Sequence, residues 1–382
     1  MKIIIAPDSF KESLSAADVA AAIKKGFCQV LPDAEYCCIP VADGGEGTTD
    51  ALVLSTQGQF IHSDAEDPLG NPIRARWGLL GDGHTAIIET AAASGLDLVP
   101  MAYRNPMLAS SYGTGQLIAA ALEHPVDHII IGLGGSATND GGAGMLAALG
   151  ARLLDKEGQP LPTGAAALSE LATLDISTLH PRLSEVTFSV ACDVDNPLLG
   201  PEGASAIFGP QKGATQAQIV QLDHNLAHFA QFLSQHYGLE VATIPGAGAA
   251  GGIGAALLAL FNTQMRSGID IVLDAVSFDQ QLQGADLVIT GEGRIDHQSL
   301  RGKTPVGVAK RAQRLGIPVI ALAGSKTQDE VALNNCGIQA IFSVVPGVTS
   351  LTDALRDAPT NLAVSAKNIA TLLKLGSTHL SS

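Results

Sequence analysis

Apolar positions along this chain gather in short unbroken runs that alternate with amphipathic stretches, the rhythm of a parallel sheet covered by helices. Residues 3–6 show no polar alternation, which predicts a first strand buried on both faces. Ser15 offers an N-cap to a helix over 16–31, which Pro32-Asp33 stops. A second strand over 36–41 runs into the turn Asp43-Gly44-Gly45-Glu46-Gly47, and a helix to residue 56 follows. The opening therefore reads βαβα, the start of a doubly wound layer.

The period changes between residues 59 and 99. Short alternating segments are broken there by Pro68-Leu69-Gly70-Asn71-Pro72 and Gly81-Asp82-Gly83, both hairpin signals. Helices and strands then alternate again: a helix after Gly113-Thr114-Gly115, strands over 128–133 and 186–191, and a helix after Gly142. A long amphipathic helix over 215–237 puts Leu222, Leu226, Phe229 and Leu233 on one face, and 251–260 reads as a buried helix. Beyond residue 280, strands over 287–290, 319–323 and 340–345 and helices over 304–315 and 361–374 resume the opening rhythm. The pattern predicts an α/β protein: a doubly wound, Rossmann- or flavodoxin-like parallel-sheet domain from residues 1–62 and 280–382, with an α/β domain of mixed sheet, 63–279, inserted between its halves.

Composition changes this picture at a few points. The 42 glycines among 382 residues exceed the usual share of roughly 7%, and aromatic residues make up only 4%, so the core must be closely packed Ala, Val, Leu and Ile. A formal charge of −15 argues against nucleic acid, whose phosphates need a basic surface. Five cysteines without metal-ligand spacing predict reduced, mostly buried thiols, and the scatter of the ten histidines along the chain argues against zinc. The N-terminal apolar run is too short for a signal peptide, and the longest apolar stretch, 253–261, is far below the ~20 residues that span a bilayer. These features predict a soluble cytoplasmic protein with no membrane partner. The oligomeric state is not written in the sequence, and a homo-oligomer stays open.

The chemistry concentrates in glycine-rich segments at expected strand ends, the edge where open α/β sheets bind ligands. Asp8 and Lys11 follow the first strand and Asp43 the second, so the two acids converge if those strands are neighbours. The segment 132–144, with Gly134, Gly135, Ser136 and Thr138, is the best nucleotide-phosphate candidate, although it is not a Walker A loop. Asp193 and Asp195 follow the strand over 186–191 and suit Mg²⁺ or a general base, or else an Asx-Pro turn. Lys212 lies in a glycine turn before the long helix. Glu292 and Arg294 end the strand over 287–290, and Gly302-Lys303-Thr304 mimics a P-loop without its first glycine. Each of these also has a plain reading as a capped surface turn.

Taken in order, Pro7-Asp8-Ser9-Phe10-Lys11-Glu12-Ser13, Ala42-Asp43-Gly44-Gly45-Glu46-Gly47-Thr48, Gly134-Gly135-Ser136-Ala137-Thr138-Asn139-Asp140-Gly141-Gly142, Cys192-Asp193-Val194-Asp195-Asn196-Pro197, Phe208-Gly209-Pro210-Gln211-Lys212-Gly213 and Thr290-Gly291-Glu292-Gly293-Arg294-Ile295-Asp296 closely resemble the type-1 glycerate kinases of bacteria, nearly end to end. The resemblance implies two α/β domains with the site in the cleft between, and transfer of the γ-phosphoryl group of ATP to glycerate, at the 2-hydroxyl, with Mg²⁺. Within that frame Asp193, Lys11 and Asp43 are expected in catalysis. Asp8, Lys11, Arg294 and Glu292 are expected to hold the glycerate, and Gly134, Gly135, Ser136, Thr138 and Lys212 the ATP phosphates. Asp195 and Asp43 are the expected metal ligands. The alternatives are a kinase giving 3-phosphoglycerate, a nicotinamide-dependent hydroxy-acid dehydrogenase, and a non-catalytic sugar-acid binding protein.

Overall fold

A computed structural model describes residues 1–296, 299, 302–326 and 335–379. In chain order its strands are β1 (Lys2–Pro7), β2 (Glu35–Cys38), β3 (Gln59–Glu66), β4 (Pro72–Leu79), β5 (Thr85–Glu89), β6 (His128–Gly132) and β7 (Arg152–Leu154). They continue with β8 (Thr173–Asp175), β9 (Thr187–Ala191), β10 (Thr263–Arg266), β11 (Leu287–Ile295), β12 (Val319–Lys326) and β13 (Ala340–Ser343). Residue contacts divide the chain into two compact units: Met1–Asp43, Asp50–Thr56 and Ser267–Ser382 form the first, Gly44–Thr49 and Gln57–Arg266 the second.

The first unit holds one parallel sheet, ordered β13-β12-β11-β1-β2. Numbered within the unit, its strands run 2-1-3-4-5, the flavodoxin-like order, and the order reverses between β1 and β11. β1 pairs in register with a strand from the far end of the chain, Ile3 opposite Leu287 and Ala6 opposite Thr290. Alternation along β1 sends Ile3 and Ile5 into a core with Val19, Ile23 and Phe27 of the helix Ala16–Cys28 and with Leu362, Ala366 and Ile369 of the helix Ala358–His379. Ile4 and Val288 are equally buried and point to the opposite face; the helix Thr304–Arg314 packs on β1, β11 and β12. Both faces are covered, as the unbroken apolar run of β1 predicted.

The second unit is built on a six-stranded mixed sheet, β10-β9-β6-β5-β4-β3, in which β5, β6, β9 and β10 are parallel and β3 and β4 are antiparallel additions. The hairpin signals between 59 and 99 correspond to β3, β4 and β5. Trp77 is fully buried and donates its indole N–H to Ser63 Oγ at 3.0 Å. The helix Gln216–Tyr237 starts from a capping box between Thr215 and Gln218 and buries Leu222, Leu226, Phe229 and Leu233, the predicted face.

Three expectations are corrected and one strand is added. The strand expected over 287–290 runs on to Ile295, so Gly291-Glu292-Gly293-Arg294 is strand, with Glu292 opposite Ala323 and Arg294 opposite Ser325. Gly291 serves close approach there: a Cβ would collide with the carbonyl oxygen of Leu322. Gly113 and Gly115 lie inside the helix Tyr112–Leu122, not before it, because side chains there would strike the backbone of Glu66 and Met145. Residues 263–266, unassigned from sequence, form β10. The five thiols are free but none is fully buried, since Cys37 and Cys38 sit on the edge strand β2. No helix among the described residues is long and apolar enough to cross a membrane.

Candidate active site

The first unit carries a cavity of about 700 Å³ at the C-terminal ends of β1 and β11, the switch point of its sheet. Asp8, Lys11, Asp43, Glu292 and Arg294 all line it, so five of the residues singled out from sequence are brought together. Lys303 joins them.

Asp8 is fixed from both of its oxygens. Thr304 Oγ1 donates to Oδ2 and the Ser9 N–H to Oδ1, each at 2.6 Å. The Asp8 N–H donates to the Gly291 carbonyl at 2.8 Å, tying the turn to β11. Burial raises the Asp8 carboxyl to about 6, with the negative charge of Asp43 adding to it and the two hydrogen bonds opposing it. Glu292, whose Oε1 accepts from Ser299 Oγ, is raised to about 7, mainly by burial. Ser299 and Lys303 oppose that rise, while Asp8 and Asp43 add to it. The Asp43 charge thus acts on both Asp8 and Glu292, and a site where carboxylates crowd in this way is short of positive charge, the setting in which a phosphate-borne cation binds. Arg294 is largely exposed and pairs with Asp296 at 3.0 Å.

The second unit has a smaller cavity of about 380 Å³ where β5 and β6 end. Gly134 and Gly135 line it with Gly44, Gly45, Arg74 and Arg76. Gly135 has φ +71°, and its carbonyl accepts from the Leu96 N–H at 2.7 Å while Ala137 N–H donates to Ser94 O, so the turn is bolted to its neighbour. Among the described residues the N–H groups of Gly134, Gly135 and Ser136 have no acceptor in the protein. Consecutive free amides of this kind form an anion-binding nest. Arg74 and Arg76 were missed from sequence: two arginines two apart on a hairpin strand look like ordinary solvated positions.

Ser136, Thr138 and Lys212, expected on phosphates, are instead buried together. Lys212 is 2% exposed, and its ammonium donates to Ser136 Oγ at 3.0 Å and to the Thr138 carbonyl at 2.7 Å. Burial lowers it to about 7, and the nearby Asp140 charge opposes that drop. Asp140, fully buried, accepts from the Ser111 N–H and Oγ and from the N–H groups of Gly142 and Gly144; burial still raises its carboxyl. A long cation reaches inward here because the turn's own oxygens supply acceptors no solvent reaches. Lys212 thus braces the glycine turn from behind.

Asp193 and Asp195 stand exposed on the turn after β9. Ala191, the last residue of β9, is in register with Gly132 of β6, so Asp193 and Gly134 each lie two residues past a paired position on the same sheet edge. Among the described residues no three His, Cys, Asp or Glu side chains are grouped to hold a metal by themselves.

The profile of the Glycerate kinase family matches residues 3–374. The chain is 54% identical over 378 residues to a glycerate kinase of Bacillus subtilis (strain 168), covering 99% of each. It is 52% identical over 376 residues to the glycerate 2-kinase of Escherichia coli (strain K12), covering 98% of this chain and 99% of that one. A crystal structure described as glycerate kinase 2 from Salmonella typhimurium LT2 superposes with a TM-score of 0.92 at 52% identity, over 99% of both chains. With a family match along almost its whole length, two α/β units and acids, cations and glycine turns gathered at their strand ends, the chain belongs to the glycerate kinase family.

Proposed function

We propose that the protein transfers the γ-phosphoryl group of ATP to the 2-hydroxyl of D-glycerate, giving 2-phosphoglycerate and ADP. The observation that carries this reading is the larger pocket, where Asp8, Asp43 and Glu292 face Lys11, Lys303 and Arg294 at the switch point of a flavodoxin-order sheet, in a member of this family. The 2-position is favoured by the name of the Escherichia coli relative.

Phosphoryl transfer asks for positioning and charge neutralisation rather than covalent help. Asp193 is the proposed base: it accepts the proton of the 2-hydroxyl as that oxygen bonds to the γ-phosphorus. The bond from γ-phosphorus to the bridging oxygen then breaks, and its electrons leave with ADP. Lysine and arginine offset the charge that shifts onto the leaving phosphate. Mg²⁺ fits the donor chemistry, since half-buried Asp43 supplies hard oxygens beside the carboxyl of Asp8, and Asp195 is an exposed carboxylate. When bound, the ion neutralises phosphate charge. Because no three-acid cage is present among the described residues, it would come with the nucleotide.

The test is incubation with MgATP and D-glycerate, followed by ³¹P NMR of the product. A signal from phosphate on carbon 2 is expected. Phosphate on carbon 3 overturns the regiochemistry, and absence of turnover overturns the kinase reading.

A further inference from the structure

The two pockets differ in size and in chemistry. The larger, about 700 Å³, combines its charged floor with an apolar wall that includes Phe10, Val344, Val345, Leu351 and Leu355. A flat aromatic base needs such a wall, and a polyphosphate needs several cations. The smaller, about 380 Å³, is lined by Arg74 and Arg76 together with the acids Glu46, Glu89 and Asp97. Acids outnumber cations in both pockets, so it is the smaller volume and the lack of an aromatic wall, not the charge count, that suit a nucleotide badly here. A short hydroxy acid needs this mixture: forked donors for one carboxylate and acceptors for its hydroxyls.

We infer that the smaller pocket holds the glycerate, with Arg74 and Arg76 gripping its carboxylate beside the free amides of Gly134 and Gly135, and that the larger pocket holds the nucleotide. This reverses the allotment expected from sequence, and it rests on the kinase reading above. Among the described residues Arg74 has no ion-pair partner, so its charge is available to a ligand. Arg76 lies over the Phe60 ring at 4.5 Å to the centroid, which holds the guanidinium in place. Between Glu89 and Ala91, both on the wall, the buried Thr90 hydroxyl has no hydrogen-bond partner among the described residues. A buried hydroxyl left unpaired is completed by water or by a ligand. Asp193 stands on the same sheet edge as Gly134, as a base for the glycerate hydroxyl requires.

The experiment uses the full chain with Arg74→Met and Arg76→Met, both at exposed positions, with thermal melts to verify folding. Losing a charge-assisted pair to a carboxylate is expected to raise KM for D-glycerate about ten- to a hundredfold, with KM for ATP changed by less than about twofold. Arg74→Lys restores part of the loss. Calorimetric titration supplies a readout free of turnover: wild-type protein should bind D-glycerate much more tightly than glycerol, which lacks the carboxylate, and Arg74→Met should erase that preference. A rise in KM for ATP with KM for glycerate unchanged overturns the inference, and so does an unaltered preference for glycerate over glycerol. If wild-type protein makes no phosphoglycerate from MgATP, the kinase reading fails, yet the titration still decides whether this pocket reads a carboxylate.

Discussion

Asp8 and Glu292 sit where a pH change within the working range alters their charge. Their ionised forms are the ones that hold a phosphate-borne cation, so kcat/KM is expected to rise as pH climbs through about 6 to 7. Thr304→Val should move that limb upward, because it removes a hydrogen bond to ionised Asp8; a downward move in the pH–rate profile would contradict the assignment. Asp193→Asn is expected to lower kcat about a hundredfold or more, the low end for loss of a general base, and an unchanged kcat would remove Asp193 from the role. Stability carries its own signature. A carboxyl raised by folding contributes stability that is complete below its unfolded value and lost as pH rises through the folded one, here between about 4 and 7. Lys212, lowered to about 7, does the reverse: its contribution is complete above 10.5 and lost as pH falls through 7. Urea midpoints should therefore dip near neutrality and recover in alkali, and Lys212→Met should abolish the recovery.

Among the elements, glycine decided what could be foreseen. Strands β1, β6 and β9 and the helix Gln216–Tyr237 were legible because apolar runs and faces of those lengths bury in only one way. Gly291 and Gly113 were read as turns, and both instead let one backbone lie against another inside regular structure. One sequence cannot separate those uses, since each needs only the missing side chain. The larger pocket was likewise foreseeable, because strand ends of one parallel sheet converge, whereas the burial of Lys212 depends on packing between distant turns. Gly251 has both properties: φ is +68° and a Cβ would collide with the Thr138 carbonyl. Gly251→Ala is expected to lower stability by at least about 2 kcal/mol, read from denaturation midpoints. In the first unit Arg311 bonds to Asp270, Asp274 and Asp279 at 2.8–3.1 Å, joining the helices Gly268–Ala275, Phe278–Gln281 and Thr304–Arg314. Its own side chain is 11% exposed and the acids about half exposed, so Arg311→Ala should cost about 2 kcal/mol, below the value for a fully buried pair.

For the molecule as a whole, a charge of −15 repels a nucleotide that is itself an anion. Raising ionic strength from about 0.01 to 0.15 M shortens the screening length from about 30 to about 8 Å. KM for ATP, at fixed free Mg²⁺, should fall over that range, and a rise would mean that the cations of the larger pocket dominate the approach. The pairing of β1 with β11 reaches further, to how the protein is made. A ribosome emits the first strand long before its central neighbour, since Ile3 must wait for Leu287. The second unit, complete by Arg266, can be finished while that opening strand has no native partner on this side. A nascent chain paused there would display a sticky apolar ribbon, the kind of segment that chaperones shield during synthesis.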